Sequence, residues 1–250
     1  MDTPVEKDAG KTKHIFLDQY THGDRPTRLG LWLVRAISRK VFEFARISSG
    51  GRVLEVGPGY GFFGDVCMEH GLEYVAIEPN ERMAAAIEQR GGRVIRATVP
   101  PFPKIDGKFD AVVMLSVMEH MNTFQDAVLV TRQVHEMLKP GGTFLVYTPD
   151  YLNWRLTFFN CDGSHNYVTT RRRLSQLLVN NGFGDIRSCH LTGPISGFFC
   201  FLATAFVSRL PFAVLNSAFP NSKLIYKLYK IQISFLRKVV VVGRKPEDSE

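Results

Sequence analysis

A short apolar run, Arg52-Val-Leu-Glu-Val56, breaks into Gly57-Pro-Gly-Tyr-Gly61 and resumes as a helical pattern at Phe62. Val53, Leu54 and Val56 read as a strand buried on both faces of a parallel sheet. A strand that ends in a glycine-rich turn and opens a helix lets a ligand lie against bare backbone, beside the positive end of that helix. The turn therefore predicts an open α/β sheet with its ligand at the carboxyl ends of the strands.

Two registers fit this turn. Gly59-x-Gly61-x-x-Gly64 matches a dinucleotide fingerprint, which calls for an acid about 20 positions further on. Glu55-x-Gly57-x-Gly59-x-Gly61 instead carries an acid inside the strand. A pyrophosphate gains nothing from Glu55, whereas a ligand with an ammonium group does. The next strand, from Glu73, ends on Glu78, and Pro79 and Asn80 open the following helix. An acid there suits the two hydroxyls of a ribose. Its other reading is a cap on the helix 80–89, where negative charge is favoured.

Four stretches together resemble the class I S-adenosylmethionine-dependent methyltransferases. They are Leu54-Glu-Val-Gly-Pro-Gly-Tyr-Gly, Val75-Ala-Ile-Glu-Pro, Phe109-Asp-Ala-Val-Val-Met-Leu-Ser-Val-Met-Glu-His and Leu138-Lys-Pro-Gly-Gly-Thr-Phe-Leu. Glu119-His120 and the Lys139-Pro-Gly-Gly turn resemble the branch with ubiquinone-biosynthesis, natural-product and polysaccharide methyltransferases. The resemblance spans roughly residues 48–187 and implies S-adenosyl-L-methionine as cofactor. It implies that Glu55 faces the methionine end, that Gly57, Gly59 and Gly61 allow close approach, and that Glu78 with Pro79 holds the ribose. Many related enzymes have an acid after the third strand for the adenine amino group. Ala97-Thr98 stands there instead, which leaves backbone groups or Thr98 for adenine. Ser116 leaves the fourth strand at the same edge.

The expected fold is a single doubly wound, Rossmann-like α/β domain over residues 1–250. Its seven-stranded, mostly parallel sheet has helices on both faces. Residues 1–46 form a tail and cap helix, 47–191 the cofactor-binding core, 192–232 an apolar and basic helical insertion, and 233–245 a last antiparallel strand. At 250 residues and 45% hydrophobic content the chain can bury a full core. Cys67, Cys161, Cys189 and Cys200 lack paired or metal-type spacing, which points to reduced thiols in a cytoplasmic protein and to no metal centre. The charged segment 1–13 has no apolar core and does not read as a signal peptide. Tyr20, His22, Arg25 and Arg28 precede the first helix as candidate lid residues, with solvated loop as their other reading.

The polar loop after the fifth strand sits where an acceptor would meet the methyl group. Tyr151, Trp154, Phe158 and His165 are its candidates. His165 reads as a general base or as a loop hydrogen-bonder, and so does His120, because imidazole titrates near neutrality. The reading is methyl transfer to a small-molecule, glycan or lipid-linked acceptor at oxygen. An NAD-dependent oxidoreductase and a non-catalytic, membrane-associated cofactor binder are the alternatives.

The net charge of +7 is unevenly placed: nine Lys or Arg and no acid lie between Asp185 and Glu247. Ile195–Val207 is nearly all apolar but 13 residues long, short of the roughly 20 that span a bilayer, and Arg209 and Pro211 break it. Lys223, Lys227 and Lys230 share one helical face, with Leu224, Leu228 and Ile231 on another. Residues 195–231 thus predict contact with an anionic membrane surface, peripheral on the inner face. A packed lid is the competing reading. Nucleic acid explains the charge but not the neighbouring phenylalanines.

Overall fold

The computed structural model describes residues 28–247. Tyr20, His22 and Arg25 lie outside them. The chain opens with helix α1 (Arg28–Ala45), whose Leu33, Val41 and Ala45 turn inward while Arg28 stays exposed. Five strands follow in parallel: β1 (Arg52–Val56), β2 (Glu73–Ile77), β3 (Arg93–Ile95), β4 (Phe109–Leu115) and β5 (Leu138–Pro149). Between them lie α2 (Phe62–Glu69), α3 (Glu81–Glu88) and α4 (Phe124–Met137). Two one-turn helices, α5 (Tyr151–Trp154) and α6 (Thr157–Asn160), lead to α7 (Arg171–Val179) and strand β6 (Gly184–Thr192).

The alternation of side chains along the strands builds two cores. Leu54, Val56, Val112 and Met114 point to the face covered by α4 and α7. Val53, Ala111 and Val113 point to the face covered by α1 and α2. Because both faces are buried, the strands are continuous apolar runs rather than alternating ones.

With β7 (Ile195–Ser196) and β8 (Lys238–Arg244) the sheet has eight strands, not seven, in the order β3-β2-β1-β4-β5-β8-β6-β7. The extra strand, β7, folds back on Leu191 and Thr192 through Gly193 at φ 56°. Its two residues were too short to stand out from the apolar run that follows. The last strand, β8, runs antiparallel between β5 and β6 as expected. It begins five residues later than residue 233, because helix α10 (Lys223–Ser234) continues to Ser234 and Leu236 then buries against Trp154 and Phe158.

The insertion before β8 is helical: α8 (Phe198–Val207), α9 (Phe212–Ala218) and α10. By length and composition the apolar stretch Phe198–Ala218 suffices for a membrane span, and it reaches further than the 13-residue run. It is nevertheless broken at Ser208–Pro211. Gln232 of α10 donates to the Val207 and Leu210 carbonyls and ties α10 to that break.

The chain order reverses beside β1, since β2 and β3 lie on one side and β4 on the other. Ligands of open α/β sheets bind at the carboxyl ends flanking such a point. Gly57 follows β1 there, Glu78 follows β2 and Ser116 follows β4. Lys238, paired with Pro149, stands at the same edge because its strand runs the other way.

Candidate active site

The glycine turn is shaped by close approach. Gly57 has φ 64°, and a Cβ on it would stand 2.7 Å from Val117 Cγ2, across the crevice. Gly61, at φ 73°, begins α2 without a side-chain cap, and a Cβ there would stand 2.7 Å from Ile87 Cγ1. Gly59, at φ 56°, has open space around it. Arg90 holds the turn from outside, donating to the Tyr60 carbonyl at 2.5 Å and to Asp65 at 2.7 Å.

Glu55 lies beneath this turn, 2% exposed. The Tyr74 hydroxyl donates to its Oε2 at 2.6 Å, and the Gly64 amide also points to it. Burial pushes its carboxyl up to about 8, against the pull of the Tyr74 bond, and the nearby Glu78 and Asp65 add to the rise. Glu78 is also buried. Its two oxygens accept from the Gly59 amide at 3.1 Å and the Asn80 amide at 2.8 Å. Burial raises its pKa, while these two bonds work the other way. The helix cap is Asn80 itself, whose side chain accepts from the Arg82 and Met83 amides. Capping α3 therefore does not account for Glu78. Pro79 is half-buried between them, and Thr98 is exposed after β3.

Neither Glu55 nor Glu78 has a salt-bridge partner among the described residues. Two buried acids flanking one turn make the crevice a place for a cationic ligand and a poor one for a pyrophosphate.

A second polar cluster stands beyond β4. Glu119 and His120 sit on a 3-10 turn, Met118–His120. The Glu119 carbonyl accepts from the Asn166 and Tyr167 amides, both at 3.0 Å, which brings the loop carrying His165 alongside. Thr148 donates to Glu119 Oε2 at 2.7 Å. The rings of His120 and His165 are 4.8 Å apart between centroids. One donor atom each from Glu119, His120 and His165 lies within 4.8 Å of the other two, so these three could hold a metal ion.

The hydrogen bonds assign both tautomers. His165 Nδ1 contacts the Phe158 carbonyl at 2.6 Å, and a carbonyl only accepts, so Nδ1 carries the proton. Ser164 gives its one hydroxyl proton to Asp162, so His120 Nδ1, 2.7 Å from Ser164 Oγ, must donate to it. In the neutral His165 ring the lone pair is therefore on Nε2. Burial lowers the His165 pKa, so the neutral form prevails.

Sequence reasoning missed Glu119 as a site residue and Lys238 altogether. Lys238 Nζ donates to Ser116 Oγ at 3.1 Å and lies 4.9 Å over the Tyr147 ring. Ser116 itself has φ 57°. Burial lowers the Lys238 pKa, and Glu119 is the largest influence opposing that. Trp154 and Phe158, expected as acceptor contacts, are core residues instead, packed with Leu236. Trp154 Nε1 donates to the Arg237 carbonyl at 2.8 Å. Tyr151 packs edge-on against Phe158. Asp150, at the end of β5, is paired with Arg237 at 2.8 Å and with His190 at 3.4 Å. The Lys139-Pro-Gly-Gly turn lies at the opposite, amino edge, where Lys139 and the Arg52 amide both donate to Asp110. The four cysteines are unbridged.

The profile of the methyltransferase-domain family matches residues 29–188. A probable S-adenosylmethionine-dependent methyltransferase of Mycolicibacterium smegmatis is 32% identical over 148 residues, 56% of this chain and 55% of the relative. An uncharacterized methyltransferase of Mycobacterium sp. (strain JLS) is 38% identical over 103 residues, 40% of either chain. The chain thus spans between 40% and 55% of the length of these two curated relatives. Among solved structures, an S-adenosylmethionine-dependent methyltransferase of Archaeoglobus fulgidus superposes with a TM-score of 0.59 at 20% identity, covering 93% of this chain and 99% of that one. Phosphoethanolamine N-methyltransferase 2 of Haemonchus contortus, bound to S-adenosyl-L-methionine, gives 0.62 at 17% identity, covering 84% of this chain and 52% of that one. At such identities the two structures speak to the fold, and the matched profile speaks to descent: the chain belongs to the methyltransferase-domain family, among the class I S-adenosylmethionine-dependent methyltransferases.

Proposed function

We propose that this chain transfers a methyl group from S-adenosylmethionine to an oxygen of a small-molecule, glycan or lipid-linked acceptor in the cytoplasm. The residues of the crevice fit that cofactor. A cationic ligand answers the buried Glu55, which has no salt-bridge partner among the described residues, and the glycine turn has room where a Cβ at Gly57 or Gly61 would meet neighbouring side chains. Glu55 would hold the ammonium end, Glu78 the ribose hydroxyls, with Pro79, Thr98 and Ser116 lining the edge. When bound, the cofactor supplies an electrophilic methyl carbon on a sulfonium.

The observation that carries the oxygen preference is the set of lone pairs at Glu119, His120 and His165. One donor atom each from Glu119, His120 and His165 lies within 4.8 Å of the other two, and Thr148 donates to Glu119 Oε2. An acceptor hydroxyl would donate into this cluster. His165 Nε2 would take the proton of an acceptor hydroxyl, with His120 as the neighbouring candidate. The loop hydrogen bonds at Nδ1 keep each ring oriented for this, and orientation of the acceptor supplies much of the rate. Turnover of labelled cofactor on extracted lipids and glycans, with wild type and His165→Ala in parallel, tests the assignment. Product at nitrogen or carbon would remove it.

The same three donors favour one second reading. Two imidazoles and a carboxylate are a ligand set for a divalent transition metal, which would acidify the hydroxyl in place of a base. Turnover that survives EDTA dialysis supports the histidine. Loss restored by a divalent ion supports the metal.

A further inference from the structure

The insertion leaves apolar side chains in solvent where a folded domain would bury them. Phe198, Phe199 and Phe206 of α8 and Val214 of α9 are each at least 70% exposed. Of the Phe198–Ala218 stretch only Cys200 and Thr204 are buried. Leu152, Leu156 and Phe159, on the segment whose Phe158 ring lies 4.8 Å from that of His165, are exposed as well. The two groups are joined underneath, because Trp154 and Phe158 share a small core with Val207, Ile233 and Leu236. A patch of this extent marks an interaction surface.

The geometry excludes a transmembrane role for this stretch as folded. Helix α8 has ten residues, about 15 Å at 1.5 Å per residue, against a hydrocarbon thickness of about 30 Å. It is also fixed to the fold. Cys200 and Thr204 are buried, and Thr192 Oγ1 donates to the Cys200 carbonyl at 3.3 Å. The helix lies on the molecule and offers one face outward.

Charge decides what meets that face. Arg209, Lys223, Lys227 and Lys230 are exposed and have no carboxylate partner among the described residues. The sequence has no acid from residue 186 to 246. The other cations of this region are engaged elsewhere, Arg237 with Asp150 and Lys238 with Ser116. A two-fold pairing of this face with itself would set these lysines against one another, and a neutral apolar partner would not answer them.

We propose that α8, α9 and α10, with the exposed residues of the Tyr151–Asn160 segment, dock on an anionic phospholipid bilayer. The phenylalanines enter the interface, and Lys223, Lys227 and Lys230 meet the headgroups. This places the acceptor site beside the lipid, where an amphiphilic acceptor is delivered. The docking stands apart from the methyl-transfer reading, since cofactor binding in solution does not involve these residues.

Co-sedimentation of the full chain with vesicles tests it, using phosphatidylglycerol–phosphatidylcholine mixtures and pure phosphatidylcholine. Wild type pellets with the anionic vesicles and much less with the neutral ones, and salt releases it. Lys223→Glu/Lys227→Glu/Lys230→Glu lowers the partition coefficient by about 100-fold or more, the product of three lysine contacts. Phe198→Ser/Phe199→Ser also lowers it. Thermal melting and cofactor titration of both variants, expected unchanged, show that the losses are not unfolding. Wild type left in the supernatant with both vesicles at low salt overturns the proposal. So does a dimer in light scattering that Phe198→Ser/Phe199→Ser dissociates, since the face would then belong to a second copy.

Discussion

Replacing Glu55 by glutamine separates the two things its carboxyl does. Burial raises this group from 4.5 to about 8. Below about pH 4.5 it is protonated in the folded and unfolded chains alike, and folding is indifferent to it. Between pH 4.5 and 8 the unfolded chain releases the proton while the folded chain keeps it. Stability therefore falls as pH rises, by about 1.4 kcal/mol per pH unit. By pH 7 the loss is about 3 kcal/mol, an upper figure for one group. Glutamine keeps the shape and still accepts from Tyr74 but has no proton to lose. Glu55→Gln should match wild type near pH 4.5 and exceed it by about 3 kcal/mol at pH 7. In a domain of this size that is a Tm rise of about 6–12 °C. The same variant should bind S-adenosylmethionine at least tenfold more weakly, because the ammonium loses its counter-charge. Urea denaturation of both proteins from pH 4.5 to 8 measures the first effect and calorimetry the second. Parallel stability curves across that range would refute the argument that Glu55 is a buried carboxyl held for a cation.

Four further outcomes follow from the geometry. Glu78→Ala should weaken cofactor binding by about 1–3 kcal/mol, the scale of hydrogen bonds to a charged group, and unchanged affinity would remove Glu78 from the ribose. His165→Ala should lower turnover by about 100-fold with cofactor affinity intact, and wild-type kcat should rise with pH through a midpoint below 6.5, since the base acts unprotonated and burial lowers its pKa. A midpoint above 7 would exclude this histidine. Gly57→Ala should cost about 1–2 kcal/mol of backbone strain and also displace Val117, read as lower Tm and weaker cofactor binding. At Asp150 burial pushes the pKa up, but His190 and Arg237 together hold it below the ordinary 3.8; its contribution is whole above that value and fades as pH falls through the folded one. Asp150→Asn should therefore cost about 3–5 kcal/mol at pH 7, leaving Arg237 without its partner, and progressively less below pH 4 in chemical denaturation.

The parts of the site legible in the sequence were those fixed by local chemistry. Strand, glycine turn and helix are contiguous, so Glu55, Gly57 and Gly61 could be placed from residues 52–64 alone. Glu78 could be placed because it ends the next strand, though only the structure shows Asn80 doing the capping. Topology hid the rest. Lys238 reads as the first residue of an apolar strand, and nothing local says that β8 inserts beside β5 and brings it to Ser116. Glu119 and His165 are 46 positions apart and meet through the Asn166 and Tyr167 amides on one carbonyl, a contact with no periodic signature. Trp154 and Phe158 misled because aromatic residues in a polar loop look alike whether they face a ligand or a small local core. The two-residue β7 escaped because period-two alternation needs more residues to show.

The most direct test of the central claim is a calorimetric titration of the whole chain with S-adenosylmethionine and with NAD at pH 7, each in two buffers of different ionisation enthalpy. The buried acids predict that S-adenosylmethionine binds and NAD does not. They also predict that binding releases a proton, because the incoming cation ionises Glu55, so the observed heat changes with the buffer. Binding of NAD with no heat from S-adenosylmethionine would contradict the account.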